Sequence, residues 1–324
     1  MDLGAVTLTQ MRYAIAVADT QNFRLAAARS GVSQSGLSMQ LQKLEELLGI
    51  VLFDRSKQPV LVTPEGASAL RQMRAILRET ERLGQIVREE DEPSGPFRLG
   101  VIPTLSSSVI PLFLSSFLES HSKVELRVEE LKTSEMIERL EADTLDAGIA
   151  AIPLAMPGLT ERRVGLERMF AYLPPGDPLL KKARIRQEDL KQRSLWVMPE
   201  GHCFRAQVLS LCAMDIPAPR QVHFESGSFE TLIRLVDKGL GATVLPELVA
   251  SALPPSRKRA QLRPFASPEP VREIGVVTSR SQLRRRVTEA LETALAQALD
   301  SALAAAPRGA VILNPLAEAG ESAS

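Results

Sequence analysis

Leu37, Leu41, Leu44 and Leu48 fall at helical spacing and predict one inward-facing stripe. The stretch before them, FRLAAARSGVS (23–33), predicts a preceding helix whose Leu25, Ala26 and Ala28 form an apolar side small enough for close approach. Gly31 is placed to end that helix in a left-handed conformation, Val32 to dip into a core, and Ser33 to cap the next helix. The opposite face of the later helix carries Gln34, Ser35, Ser38, Gln42 and Lys43. Short hydrogen-bonding side chains around a second helix's N-terminus suit a recognition helix lying in the DNA major groove. A small helical hairpin with a solvated face explains the same stretch equally well. The next segment favours DNA: LFDRSKQPVLV (52–62) offers two short apolar runs around a polar turn, a β-wing whose Arg55 and Lys57 could meet phosphates. Thr63-Pro64-Glu65 then starts a helix. It is expected to run to about Arg88, with Leu70, Met73, Leu77, Thr80, Leu83 or Gly84, and Val87 as a seam for a partner helix.

Beyond an acidic, then Pro- and Gly-rich hinge (89–96), apolar runs and amphipathic stretches alternate. Strands are expected at 97–102, around VELRVEE, at 145–152, at SLWVMP (194–199) and at 272–277, with a helix over 109–124. SFETLIRLVDKGLGATVLP (228–246) reads as a helix leading into a strand. This alternation predicts open, mostly parallel α/β sheets, with ligands received between lobes at strand C-termini and helix N-termini. The expected organisation is a winged helix-turn-helix over 1–62, a linker helix over 63–88 and a hinge over 89–96. A regulatory domain is expected over 97–303, with lobe I about 97–169 and 269–303, lobe II about 170–268, and a frayed tail from 304 to 324.

Composition changes this picture little. Lys plus Arg and Asp plus Glu both number 39 among 324 residues, so no global charge selects nucleic acid or membrane. The first 60 residues are near balance as well. Asp2 and Asp19 interrupt the N-terminal stretch, so a secretory signal is not expected. No run reaches the roughly 20 apolar residues of a membrane helix. The chain is therefore expected in a reducing cytosol, where a permanent disulfide is improbable and a transient one informative.

Only two cysteines occur, both in GHCFRAQVLSLC (201–212). With His202 and His223 they match no zinc spacing, and no metal or other cofactor is expected. If the run from Cys203 is one helix, the nine steps to Cys212 place the two on opposite faces, roughly 13 Å apart along the axis. A disulfide needs Cα atoms within about 7 Å, so none forms without unravelling the helix. Cys203 lies where a helix begins, which favours thiolate, and His202 and Arg205 are near to add donors. Phe204, Leu209 and Leu211 are expected to anchor the helix in a core. Two buried, inert thiols remain the ordinary reading of these local features.

The pattern A-A-x-x-x-x-V-S-Q-x-x-L-S-x-x-L-x-x-L-E, Ala26 to Glu45, together with the wing and long helix, resembles the LysR-type transcriptional regulators from about Leu8 to Leu303. That resemblance implies two lobes like those of periplasmic solute-binding proteins (type 2), a homodimer and homotetramer, and promoter DNA and RNA polymerase as partners. It also implies a non-enzymatic, cytoplasmic, nucleoid-associated protein. Ser35 stands where a proline is common, and Gly36 weakens the recognition helix by roughly 1 kcal/mol relative to alanine. Within the family, E-G-H-C followed by a second cysteine nine residues later is similar to the peroxide-sensing OxyR group. The resemblance implies that Cys203 is oxidised by hydrogen peroxide and that Cys212 resolves it as a disulfide. It assigns Thr104, Thr133 and His202 to the peroxide pocket, although turn or cap duty also suits such threonines, and adds Arg272, either to polarise the cysteine or simply to pair with an acid. Ala213 stands where relatives carry a larger aromatic. Two rivals are a LysR regulator answering a metabolite in the inter-lobe cleft with inert cysteines, and a thiol peroxidase using Cys203.

Overall fold

The computed structural model describes residues 3–87, 92–191, 193–212, 228–279, 284–305 and 307–316, without the side chains of residues 3, 81–87 and 212. The chain divides into two units, Met1–Asp91 and Glu92–Ser324.

The first unit packs α1 (Leu8–Thr20), α2 (Phe23–Arg29) and α3 (Gln34–Leu48) with the hairpin β1 (Phe53–Asp54) and β2 (Leu61–Val62), followed by the long α4 (Pro64–Val87). Gly31, at φ +68°, turns the chain between α2 and α3, and Ser33 Oγ accepts from Gly36 N at 3.1 Å, capping α3. Thr63 caps α4 the same way, through Gly66 N at 2.9 Å. Leu37, Leu41 and Leu44 are fully buried, and Leu48 partly so. Two details differ from expectation. The buried face of α2 is Ala26 and Ala27, with Leu25 exposed, because Phe23 rather than Leu25 turns toward the core. Val32 stays at the surface: its N–H closes the helix by bonding to the Ala27 carbonyl, leaving the side chain pointing out of the turn. On α4, Leu70 and Met73 are buried in this unit's own core beside α1, and Arg74 binds Asp19 at 2.6 Å. Those two seam positions are therefore occupied within the chain. Position 88 and hinge residues 89–91 lie outside the described residues.

The second unit runs β3 (Gly95–Val101), α5 (Pro103–Ser120), β4 (Val124–Glu130), α6 (Thr133–Glu141), β5 (Ala147–Ile152), β6 (Leu159–Tyr172), α7 (Glu188–Lys191), α8 (Cys203–Cys212), α9 (Phe229–Asp237), β7 (Thr243–Pro246), α10 (Glu247–Ser251), α11 (Pro255–Gln261), β8 (Leu262–Pro264), β9 (Pro270–Ser279), α12 (Arg285–Ala302) and β10 (Val311–Ile312). The strands lie in the order β4-β3-β5-β9-β6-β7, with β10 beside β9 and β8 beside β6. β3 pairs in parallel with β4 and β5, but β9 pairs antiparallel with both β5 and β6. The sheet is mixed rather than mostly parallel. The reason is β6, a 14-residue strand that sequence periodicity missed, whose length lies antiparallel to β9 and on to β7.

Two hydrophobic cores result. One gathers Phe97, Leu99, Phe113, Met136, Ile149, Val276 and Leu291; the other gathers Tyr172, Phe204, Val208, Leu211, Leu232, Val244 and Phe265. α5 begins six residues earlier than expected, at Pro103, which suits the first helical position, and it accommodates Pro111 internally. SLWVMP supplies only a single bridge, Leu195 to Ala242, not a strand. The tail is not frayed over 307–316. Val311 and Ile312 pair in parallel with Pro270 and Val271, and Leu313 is buried in the second core.

Candidate functional site

α8 is a continuous helix from Cys203 to Cys212. Gly201, at φ +85°, turns the chain into it, and an added Cβ there would press 3.3 Å from Lys132 Cδ. Phe204, Val208, Leu209 and Leu211 are buried as anchors, and Arg205 turns away to donate to the Met198 carbonyl at 3.2 Å. Cys203 itself belongs to the other core, so the first residue of α8 crosses from one core into the next. The side chain of Cys212, Ala213 and His223 lie outside the described residues.

Two helix starts meet at the Cys203 thiol, its own on α8 and that of α6, and the start of α5 joins them through Arg272. Thr104 sits in the first turn of α5, Thr133 opens α6, and both are buried. Thr133 hydrogen-bonds the thiol. Arg272 on β9 is wholly buried, reaches Thr104 Oγ1 at 3.4 Å and the Thr104 carbonyl at 3.3 Å, and lies 5.5 Å from the Phe204 ring. Its charge bears on the thiol as well. His202 is half-buried, and burial together with Lys132 holds its pKa below the ordinary value against the opposing pull of Glu130. The structure thus links Cys203 to Thr133 and Arg272, and Arg272 to Thr104, while His202 adjoins Cys203 in sequence and faces the charges of Lys132 and Glu130.

One expectation is reversed here. Burial pushes the Cys203 thiol up, outweighing the Thr133 hydrogen bond, the Arg272 charge and the backbone amides at the helix start. The helix N-terminus alone does not make a resting thiolate.

Sequence reading missed Glu167. This residue is fully buried on β6, opposite Arg272 in the strand register. Its Oε2 accepts from Arg272 Nε at 2.6 Å, and its Oε1 accepts from Leu248 N at 2.8 Å in the first turn of α10. The signal was obscured because LTERRVGLERMFAY is too charged to read as a buried strand.

In the first unit, Ser33, Gln34, Ser35 and Gln42 are exposed along α3, with Ser38 partly buried. Arg55 is committed within the unit: it pairs with Glu45 at 2.7 Å, donates to Ser38 Oγ at 3.2 Å and stacks over Phe23 at 5.1 Å. Lys57 is exposed at the wing tip. A helix-turn-helix model of the lysR family matches residues 8–67, and the LysR substrate binding domain matches residues 90–300. The chain belongs to the LysR family of bacterial transcriptional regulators. It is 32% identical over 291 residues to the Escherichia coli DNA-binding transcriptional dual regulator OxyR, covering 89% of this chain and 94% of that one. Among solved structures, a full-length Pseudomonas aeruginosa OxyR with a cysteine-to-aspartate change matches with a TM-score of 0.76 and 31% identity, covering 90% and 97% of the two chains. A Corynebacterium glutamicum OxyR cysteine-to-serine mutant, hydrogen peroxide-bound, matches at 0.60 and 28% identity over 96% and 98%. The LysR architecture is thus an N-terminal helix-turn-helix and a C-terminal substrate-binding-type domain in this chain. No helix among the described residues is long and apolar enough to cross a membrane.

Proposed function

We propose that this LysR regulator senses hydrogen peroxide through Cys203, with Cys212 as the resolving thiol. The observation carrying the proposal is a buried cysteine at the start of α8, hydrogen-bonded by Thr133 of α6 and beside a buried arginine that also binds Thr104 of α5, in a chain whose relatives are named for peroxide-inducible activation. Peroxide enters beside Thr104, Thr133 and His202, whose hydrogen-bonding groups and the Arg272 guanidinium orient its oxygens. The Cys203 sulfur attacks one oxygen and the O–O bond breaks. The other oxygen leaves with the thiol proton as water, and sulfur is oxidised to sulfenic acid. The Cys212 thiol then displaces that hydroxyl, forming the disulfide and a second water.

Helix geometry keeps the cysteines about 13 Å apart along the axis while α8 is intact, so the second step needs α8 to open. Full exposure of Phe204, Val208, Leu209 and Leu211 would cost on the order of 10 kcal/mol. The oxidised state must therefore rebury part of that surface elsewhere. This requirement makes the event two-state. The readout passes to promoter DNA through Ser33, Gln34, Ser35, Ser38 and Gln42 on α3 and Lys57 at the wing, within a cytoplasmic homotetramer acting on RNA polymerase. Arg55 contributes by bracing the wing to α3.

Mass spectrometry of the protein before and after peroxide tests the proposal. The expected result is a Cys203–Cys212 disulfide, lost in Cys203→Ser and replaced by Cys203 sulfenic or higher acids in Cys212→Ser. Unmodified cysteines in a peroxide-treated, folded protein would leave a metabolite-responsive regulator. Sustained peroxide turnover with a reductant would instead indicate a thiol peroxidase.

A further inference from the structure

Arg272 poses an electrostatic problem for the peroxide site. A buried guanidinium beside a cysteine ordinarily ionises it, as opposite charges within about 4–6 Å shift acidities by about 1–3 units. A resting thiolate would react with many electrophiles besides peroxide. Burial opposes that ionisation, and Glu167 adds to that opposition by pairing with the guanidinium. It sits cross-strand from Arg272, with both side chains fully removed from water, and one carboxylate oxygen accepts a hydrogen bond from Nε at 2.6 Å. The other oxygen is fixed by the Leu248 amide at 2.8 Å, so the carboxylate cannot swing. With Nε occupied, the guanidinium is oriented so that its two terminal nitrogens reach Thr104 at 3.4 and 3.3 Å.

We propose that Glu167 is a positioning residue for Cys203 chemistry: it balances the Arg272 charge in the resting site and aims the guanidinium at Thr104, so that the arginine assists bound peroxide without ionising the resting thiol. This rests on the peroxide-sensing reading of Cys203. The charged and titratable groups on elements around the thiol are Arg272 on β9, Glu167 on β6, His202 before α8, Lys132 at the cap of α6, Glu130 ending β4 and Glu247 opening α10. Only the first two change in the test.

The experiment monitors thiolate ultraviolet absorbance against pH in full-length Cys212→Ser protein, where Cys203 is the sole cysteine. Glu167→Gln keeps the shape and an acceptor for Arg272 Nε but removes the charge. Its midpoint is expected to fall by about one pH unit or more, giving about tenfold more thiolate at a fixed pH below it. Glu167→Asp keeps the charge but shortens the reach, so it should hold the midpoint near the parent value while slowing sulfenic acid formation. A folded Glu167→Gln protein with an unchanged or raised midpoint overturns the proposal. If that variant does not fold, the neutral pair Glu167→Gln/Arg272→Met replaces it, since exchanging both partners of a buried ion pair is commonly tolerated. There the midpoint should stay near the parent value, because the two opposite charges leave together, and a midpoint shifted by about one unit or more in either direction refutes the idea. The midpoint is read without peroxide. A protein indifferent to peroxide would therefore sink the sensing reading while leaving the role of Glu167 to its own result.

Discussion

Replacing Leu313 with alanine strips the isopropyl group from a side chain only 4% exposed in the second core. Filled as a rigid cavity, such a change costs about 2–5 kcal/mol. The tail, however, is held by few other ties. Val311 N bonds to the Glu269 carbonyl and Leu313 N to the Val271 carbonyl, both at 2.9 Å, and the Gln207 amide on α8 donates to the Leu313 carbonyl at 3.0 Å. Fixing residues 307–316 opposes these at about 1–2 kcal/mol of backbone entropy per residue. Docking is thus a local equilibrium of a few kcal/mol. Leu313→Ala cannot cost more than the docking is worth, because beyond that point the tail detaches. Truncation after residue 306 sets that ceiling. In urea unfolding monitored by circular dichroism, the substitution should cost about 2 kcal/mol or somewhat more, and never more than the truncation. Both should raise amide exchange across α8, since Gln207 is fully buried and its Oε1 already has no hydrogen-bond partner among the described residues. A truncated protein with unaltered stability and unaltered exchange in α8 would refute the reasoning.

Ser33→Ala removes the acceptor for Gly36 N and should destabilise the first unit by about 0.5–2 kcal/mol in thermal unfolding, with weaker DNA binding resulting from a frayed α3 start. DNA affinity should fall steeply as salt rises, and Lys57→Ala should lower the slope of log affinity against log salt by about one, measured by fluorescence anisotropy. His202, held below its ordinary value of 6.5, binds a proton more readily unfolded than folded, so its contribution to stability is present above about pH 6.5 and lost as pH falls through the folded value. His202→Gln should flatten that acid-side loss in urea titrations at stepped pH, and identical profiles would contradict it.

How much of this was legible depended on whether a residue's environment was set locally. The α3 stripe, its Ser33 cap and the Thr63 start of α4 depend on neighbours a few positions away, and spacing alone predicts them. The thiol's acidity is different. A helix start argues for thiolate, but the deciding quantity is how far burial by distant segments outweighs the Thr133 hydrogen bond and the Arg272 charge. Resemblance named those residues; it did not give the sign of their sum. Glu167 lay further out of reach, because a carboxylate flanked by Arg162, Arg163 and Arg168 reads as a solvated surface until β9 places Arg272 against it. The tail failed for a related reason. AAAPRGAVILNPL has neither helical nor strand periodicity, and its short VIL run becomes meaningful only because β9 offers an open edge and α8 a buried amide. These two misreadings bear on the same helix. Glu167 holds the Arg272 whose charge bears on its first residue, and the tail meets its middle through Gln207. Opening α8 must therefore work against two long-range ties as well as its own apolar anchors. The free energy that governs the proposed switch is thus stored partly outside the Cys203–Cys212 peptide that announces it.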